Sequence, residues 1–312
     1  MSELDKIIRG LKSGSVRMLG RAITLVENDD PRSQTILENI FRVTRPGYRI
    51  GVTGPPGAGK STLVSRLARK FRETGNKIGI IAVDPTSPFS GGAVLGDRIR
   101  MNELSTDPGI FIRSMATRGS LGGLSRAAQD VSELMAAMGM DIIIFETVGV
   151  GQGELDVARA SDSTVVVLVP ESGDSIQAMK AGLMEIADIF VINKADRDGA
   201  EKMKIELEMM LHLRTPRDNW TPPILKTVAN DGQGIHELYD VINHHAGHLK
   251  SRGILDTKRS ERMLEKIRTL VAENLQEKFW NQTREVYLQK KLDDLMTRKI
   301  SPVRIVQDLV EM

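Results

Sequence analysis

The sequence predicts a doubly wound α/β domain with a mostly parallel sheet, preceded and followed by helical segments. From Tyr48 onward, short β-branched runs alternate with stretches whose apolar residues recur at helical spacing. Several runs are apolar on both faces, which is typical of parallel strands covered by helices on each side. A glycine-rich segment follows the first run directly and leads into a helix-like stretch. The predicted strands are YRIGVT, KIGIIAV, GIFIRS, DIIIFE, STVVVLV, DIFVIN and PILKTV.

Composition and charge exclude several classes of protein. Hydrophobic residues make up 40% of the 312-residue chain and charged residues 27%, as in a packed globular protein. With 43 basic and 41 acidic residues, the balance favours neither nucleic acid nor an anionic membrane as main partner. The absence of cysteine excludes disulfides, thiolate metal sites and a cysteine nucleophile. No signal peptide is recognisable and no apolar run approaches the ~20 residues that cross a bilayer, so we expect a cytoplasmic location.

Three segments are predicted along the chain. Residues 1–44 form an N-terminal helical extension, because apolar residues recur every three or four positions until a Pro-Gly pair breaks the pattern. Residues 45–248 form the α/β domain. Residues 249–312 form a charged helical arm with an apolar stripe, and Pro302 begins its last helix. Periodicity alone does not tell whether the stripe packs on its own domain or on another chain.

The glycine-rich segment GPPGAGKST matches the pattern G-x-x-x-x-G-K-[ST], between a strand and a helix. In this context the pattern predicts the phosphate-binding loop, or P-loop, of a nucleoside triphosphatase. Its glycines let backbone N–H groups turn toward an anion at the positive end of a helix. Lys60 is predicted to contact the β- and γ-phosphates, and Ser61 to bind Mg²⁺. The predicted binding residues are Gly54, Pro55, Pro56, Gly57, Ala58, Gly59, Lys60, Ser61 and Thr62.

Acidic residues near the ends of other strands are predicted to complete a Mg²⁺ site. Glu146 follows four apolar residues, and Gly149 comes three positions later, as in the D-x-x-G switch motif with Glu in place of Asp. Asp84 ends another strand, and Asp97 lies in the Pro- and Gly-rich loop after it; turn formation is the alternative role for both. The predicted metal ligands are Ser61, Asp84, Asp97 and Glu146. The predicted catalytic residues are Lys60, Asp97, Glu146 and Gly149.

The segment NKAD predicts that the nucleotide is GTP. In the pattern N-K-x-D, the carboxylate of Asp196 accepts hydrogen bonds from N1–H and the 2-amino group of guanine. Adenine lacks the 2-amino group and has an acceptor at N1, so the same carboxylate discriminates against it. A looser match, Thr227-Val228-Ala229, stands where GTPases contact the guanine oxygen through the backbone. The predicted base-site residues are Asn193, Lys194, Asp196, Thr227, Val228 and Ala229.

With these motifs, the sequence resembles the GTPase chaperones of adenosylcobalamin-dependent methylmalonyl-CoA mutase, some of which carry the name lysine/arginine/ornithine transport ATPase or kinase. The resemblance covers nearly the whole chain. Its specific marks are GPPGAGKST, VDPTSPFSGGAVLGDRIRM, RGSLGG, ETVGVGQ, ESGDSIQAMKAG and NKAD. It implies a P-loop NTPase G domain with an N-terminal helical extension and a C-terminal helical dimerisation arm.

The resemblance also implies a function. A homodimer of the chain would dock on an acyl-CoA mutase, protect it, and use GTP to gate loading or exchange of its cobalamin. The segment from Glu171 to Gly182 would act as an additional switch at that interface. The chain lacks the cobalamin-ligating pattern D-x-H-x-x-G, so cobalamin would belong to the partner.

Some questions stay open at this point. Val150 follows Gly149 directly and Gln152 comes two residues later, so the residue that positions the attacking water is not assigned. A kinase or ATPase associated with basic amino-acid transport is the alternative function, although no acceptor site for a kinase is visible. A comparison of GTP and ATP affinity would separate the two functions.

Overall fold

The computed structural model describes residues 2–42, 45–84, 104, 106–116, 126–147, 153–170, 182–213 and 218–312. The chain divides into two compact units, Met1–Asp256 and Thr257–Met312. Within the described ranges, no helix is both long enough and apolar enough to cross a membrane.

The described part of the first unit contains one seven-stranded sheet. Its strands are β1 (Tyr48–Thr53), β2 (Ile78–Asp84), β3 (Ile110–Ala116), β4 (Ile142–Thr147), β5 (Ser163–Leu168), β6 (Ile189–Asn193) and β7 (Ile224–Thr227). The spatial order is β3-β2-β4-β1-β5-β6-β7, and all neighbouring strands are parallel. Each strand corresponds to one of the apolar runs in the sequence, which confirms the predicted fold class.

Helices precede, separate and follow the strands. The described helices are α1 (Glu3–Lys12), α2 (Val16–Glu27), α3 (Arg32–Phe41), α4 (Lys60–Glu73), α5 (Arg126–Ala137), α6 (Gly153–Ala160), α7 (Leu183–Ile186), α8 (Ala200–His212), α9 (Ile235–Ser251), α10 (Ile254–Phe279), α11 (Gln282–Met296) and α12 (Pro302–Glu311). The helices predicted before residue 44 are α1 to α3, and Pro302 begins the last helix as expected.

Apolar side chains on both faces of the sheet form the core of the first unit. On one face, α4 and α9 pack on β1 and β5, and the contact includes Leu63, Leu238 and Val165. On the other face, α1 to α3, α5 and α6 enclose a second cluster that includes Ile23 and Phe145. Helix α8 adds a third cluster with β5 and β6. In the covered strands β1, β4, β5 and β6, the polar residues stand toward the strand ends.

The second unit contains α11 and α12, which contact each other through polar side chains. The hydroxyl of Tyr287 donates to Asp308 Oδ2 at 2.6 Å, and Nε of Arg284 donates to the carbonyl of Leu309 at 3.0 Å. The guanidinium of Arg284 also lies 4.4 Å from the ring centroid of Phe279. The apolar stripe predicted on α10 is exposed at Leu264, Ile267, Leu270, Val271 and Leu275.

Candidate nucleotide-binding site

The loop between β1 and α4 has backbone geometry that requires glycine. Gly54 has a φ of 137° and Gly59 a φ of 84°, both in the region that side chains disfavour. A Cβ at Gly54 would collide with the carbonyl of Val167, and a Cβ at Gly59 with the side-chain amide of Asn193. The glycines of the P-loop pattern are therefore required by neighbouring strands as well as by the turn itself. Helix α4 begins immediately after Gly59, at Lys60.

Lys60 lies inside the loop with its ammonium group held by backbone carbonyls. Its Nζ donates to the carbonyl oxygens of Gly54 at 2.9 Å and Pro55 at 2.8 Å. The residue is buried at the first position of α4, where the unpaired N–H groups of a helix favour anions. A positive charge and a helix N-terminus therefore meet at one point, an arrangement suited to binding a phosphate chain.

Ser61 and Glu146, two of the predicted metal ligands, form a hydrogen-bonded pair beside the loop. Strand β4 lies next to β1 with Val52 opposite Glu146, so this carboxylate reaches the start of α4. The hydroxyl of Ser61 donates to Glu146 Oε1 at 2.5 Å, and both residues are buried. One residue further along each strand, the hydroxyls of Thr53 and Thr147 are 3.1 Å apart. The sheet register therefore brings together two predicted metal ligands that are far apart in sequence.

The other predicted metal and switch residues are described less completely. Asp84 is the last residue of β2, whose register with β4 places Val83 opposite Thr147, so its backbone ends at the same edge of the sheet. The description of Asp84 extends to its backbone only. Asp97, Gly149 and the proposed additional switch at residues 171–181 lie outside the described residues, as do Val150 and Gln152.

Asn193, at the end of β6, connects three segments of the site. Its side-chain Nδ2 donates to the carbonyl of Ala58 in the P-loop at 2.8 Å. Its Oδ1 accepts from the hydroxyl of Thr227 at 3.0 Å and from the backbone N–H of Ala229 at 3.1 Å. This buried amide therefore holds the P-loop and the loop after β7 together, and each of its three bonds closes a separation of more than thirty residues.

The residues after Asn193 form a turn that presents Asp196. Lys194 has a φ of 55°, which is uncommon for a residue with a side chain and often marks a functional site. The backbone N–H of Ala195 donates to the carbonyl of Thr227 at 3.0 Å, and that of Arg197 to the carbonyl of Lys194 at 3.0 Å. These bonds fix the backbone on both sides of Asp196, whose side chain is exposed.

The phosphate and base residues line one cleft of about 400 Å³. This volume lies in the usual range for a site that binds a small organic ligand. The predicted residues lining it on the phosphate side are Pro56, Gly57, Gly59, Lys60, Ser61 and Thr62, together with Glu146. On the base side they are Asn193, Lys194, Asp196, Val228 and Ala229. The remaining predicted residues, Gly54, Pro55, Ala58 and Thr227, support these through the hydrogen bonds given above.

Glu154 is a residue of this region that sequence reasoning missed. It lies in the first turn of α6, where an acidic residue is ordinary helix chemistry, so its type gives no distinguishing signal. Burial raises the pKa of the Glu154 carboxyl, and the nearby positive charge of Lys60 opposes this rise. The carboxylate of Glu154 is therefore an electrostatic neighbour of the P-loop lysine.

A second cleft, of about 460 Å³, lies beside Trp220 at the amino-terminal ends of β6 and β7. The indole N–H of Trp220 donates to the carbonyl of Asp188 at 2.8 Å, and its ring lies 4.6 Å from that of His245. His245 is buried and its Nδ1 is 2.5 Å from the hydroxyl of Ser163. These contacts fasten α9 to β5 and to the start of β6, which is a structural role.

The chain is similar to known proteins whose names describe GTPases. Residues 19–284 match the family model described as Methylmalonyl Co-A mutase-associated GTPase MeaB. A protein of Pyrococcus horikoshii whose name describes a GTPase is 50% identical over 275 residues, 87% of each chain. The mouse protein named methylmalonic aciduria type A homolog, mitochondrial, is 36% identical over 88% of this chain and 71% of its own length.

One solved structure has a similar fold. It is titled LAO/AO transport system kinase, with a TM-score of 0.76 and 32% identity, and the match covers 100% of this chain and 98% of that chain. The family model covers most of the chain, including the P-loop, Glu146 and the NKAD segment. The chain therefore belongs to the methylmalonyl-CoA mutase-associated GTPase family MeaB.

Proposed function

We propose that this GTPase binds GTP with Mg²⁺ in the cleft described above and hydrolyses it to GDP and phosphate. The observation that carries the proposal is the convergence of a buried lysine, a serine–glutamate pair and a bridging asparagine on one cleft. These groups come from β4, α4 and β6 and meet at the carboxyl ends of parallel strands. In open α/β sheets, ligands bind at this edge.

The phosphate chain of GTP is proposed to bind the P-loop backbone and Lys60. The ammonium of Lys60, which the carbonyls of Gly54 and Pro55 hold, would instead contact the β- and γ-phosphates. Its positive charge stabilises the negative charge that develops on the phosphate oxygens as the terminal bond breaks. Gly149 is proposed to contact the γ-phosphate through its backbone N–H.

The residues present fit a Mg²⁺ ion. Mg²⁺ prefers oxygen ligands and usually keeps several waters beside one or two carboxylates. The hydroxyl of Ser61 and the carboxylate of Glu146 supply such a pair, and Asp84 and Asp97 are proposed as further direct or water-mediated ligands. When bound, the ion would neutralise part of the charge of the phosphate chain.

The base site is proposed to select guanine. Asp196 would accept hydrogen bonds from N1–H and the 2-amino group, and the stem of Lys194 would lie along the base. The backbone after Thr227 would contact the guanine oxygen. This selection argues against the alternative of an ATPase or kinase associated with basic amino-acid transport, because an adenine base would leave the Asp196 carboxylate without a donor.

We further propose that the client of this GTPase is an adenosylcobalamin-dependent acyl-CoA mutase, most directly methylmalonyl-CoA mutase. The family description and the name of the mouse relative support this client. In the proposed function, the GTPase protects the mutase and gates loading or exchange of its cofactor. Ordering of switch loops by the γ-phosphate would make the GTP and GDP forms different binding partners.

The proposal that the mutase is the client is tested by the affinity of the mutase for the GTP form and for the GDP form of the GTPase. We expect the affinities for the GDP form and for the form with a non-hydrolysable GTP analogue to differ by about fivefold or more, the lower end of usual allosteric coupling. Calorimetric titration with the mutase of the same organism measures both values. The Asp196→Asn variant is the matched control, because an impaired guanine site should remove the effect of added GTP analogue. Equal affinities of the wild type, or no binding, would contradict the proposed client.

The arm at residues 249–312 is proposed to form a homodimer. Its exposed apolar side chains recur at Leu264, Ile267, Val271 and Leu275, so they share one side of α10. An apolar surface of this kind on a helix is typical of contact with another protein. The family resemblance makes a second copy of the chain the expected partner.

Two negative charges introduced on the exposed apolar side of α10 should dissociate the dimer into monomers. We expect the double variant Ile267→Glu and Leu275→Glu to be a monomer with unchanged GDP affinity, because the carboxylates would have to be buried at the interface. Size-exclusion chromatography with light scattering measures the mass. Thr269→Glu adds a charge to the opposite side of α10 and should leave the dimer intact. A wild-type protein that is monomeric at micromolar concentration would rule out the dimer.

A further inference from the structure

Arg66 connects the P-loop helix to the loop that follows β7. It lies on α4, the helix that also carries Lys60 and Ser61. Its Nε donates to the carbonyl of Ala229 at 3.2 Å, and its Nη2 donates to the carbonyl of Asn230 at 2.5 Å. The fixed fork of a guanidinium suits two neighbouring carbonyls, and these bonds close a separation of more than 160 residues.

The segment from Val228 to Gln233, called the base loop here, is held from two sides. On the strand side, Asn193 Oδ1 accepts from the N–H of Ala229 at 3.1 Å. On the helix side, Arg66 holds the carbonyls of Ala229 and Asn230. Within the loop, backbone bonds join Val228 and Gln233 at 3.1 and 3.2 Å. The loop backbone therefore has a defined position relative to the P-loop.

Fixing a carbonyl also fixes the direction of the next N–H group. In a planar trans peptide, the C=O bond and the N–H bond of the following residue point in opposite directions. The bond from Arg66 to the Ala229 carbonyl therefore orients the N–H of Asn230 away from α4. Ala229 and Asn230 both line the nucleotide cleft. Arg66 thus orients peptide groups that border the place proposed for the base.

Building on the guanine site proposed above, we propose that Arg66 is a positioning residue for guanine recognition, which holds the N–H group of Asn230 where it reads the 6-oxo group of the base. Guanine and hypoxanthine carry an oxygen acceptor at this position, whereas adenine carries an amino donor. A loop that presents the N–H group of Asn230 at a fixed distance from the phosphate site favours the first two bases. Because Arg66, Lys60 and Ser61 share one helix, α4 sets that distance.

The test measures the affinity of three nucleoside diphosphates for the full-length protein. Wild type, Arg66→Ala, Arg66→Lys and Arg69→Ala are titrated with GDP, IDP and ADP by calorimetry. We expect Arg66→Ala to bind GDP and IDP about tenfold more weakly and ADP as the wild type does, so the preference for guanine over adenine falls about tenfold. The ratio of GDP to IDP affinity should stay the same, because Asp196 reads the 2-amino group.

Two further variants test whether Arg66 acts by positioning the base loop. Lysine can reach one carbonyl but cannot bind both in a fixed fork, so Arg66→Lys should recover part of the lost preference. Arg69 is exposed on the same helix and does not line the cleft, so Arg69→Ala should keep the wild-type preference.

An equal loss of affinity for all three nucleotides in Arg66→Ala would show that Arg66 merely stabilises the fold. An unchanged preference in Arg66→Ala would show that the loop reads the base without it. Either result overturns the proposal.

Discussion

We expect the Lys60→Ala variant to lose GTP hydrolysis by a factor on the order of 10²–10³ and to lose more affinity for GTP than for GDP. The ammonium of Lys60 is the positive charge placed at the start of α4, and its loss removes stabilisation that is greatest in the transition state. GTP should suffer more than GDP because the γ-phosphate adds charge at this point. Phosphate release under saturating GTP measures the turnover.

Lys70→Ala is the matched control for this variant. Lys70 lies on the same helix but pairs with Glu73 at 2.8 Å on the protein surface, so its loss should leave hydrolysis unchanged. Thermal unfolding of both variants would separate a loss of chemistry from a loss of folded protein. A Lys60→Ala variant that turns over GTP at the wild-type rate would contradict the P-loop assignment.

The second large effect is expected for a substitution of Asp196, the residue that is proposed to read the guanine base. We expect Asp196→Asn to bind GTP about 100-fold more weakly and to gain affinity for XTP. Xanthine carries a carbonyl where guanine carries its 2-amino group, so the amide of asparagine can donate where the carboxylate could only accept. The turn around Lys194 and Ala195 holds this position through backbone bonds that the substitution leaves intact.

Competition between GTP, XTP and ATP for the variant measures the exchange of specificity. Asp198→Asn is the control, because Asp198 lies two residues away, is exposed and does not line the cleft. If Asp196→Asn kept the wild-type preference for GTP, another group would have to read the 2-amino side of guanine.

The sequence predicted the elements well because their signals are local. Each strand is a short apolar run, and the P-loop pattern stands between a strand and a helix, as in β1 and α4. Sheet order depends on pairing between strands far apart in the chain, which periodicity does not encode. The position of β1 between β4 and β5 came from the structure alone.

The candidate site divides in the same way. Lys60, Ser61 and Asp196 were predictable because their residue types recur at fixed spacing in known patterns. The contacts of Asn193 with Ala58 and of Arg66 with Ala229 were not predictable, because each joins segments more than 130 residues apart. An arginine on an amphipathic helix gives no signal of its own, since most such residues are solvated. The placement of Asp97 and Gly149 stays a prediction from sequence.

The central proposal is that the nucleotide state of this GTPase is coupled to a mutase. Coupling is reciprocal, so a mutase that prefers one nucleotide form must change the relative affinities of the GTPase for GTP and GDP. Lowered affinity for GDP, or better alignment of the switch loops for hydrolysis, would then raise turnover.

The most direct measurement is the GTPase rate at saturating GTP with and without the mutase of the same organism, with Lys60→Ala as the blank. We predict that saturating mutase changes the rate by about fivefold or more, the size expected for coupling of this kind. The proposal would be contradicted if the rate stayed the same at every mutase concentration and the mutase changed neither the GTP affinity nor the GDP affinity of the GTPase.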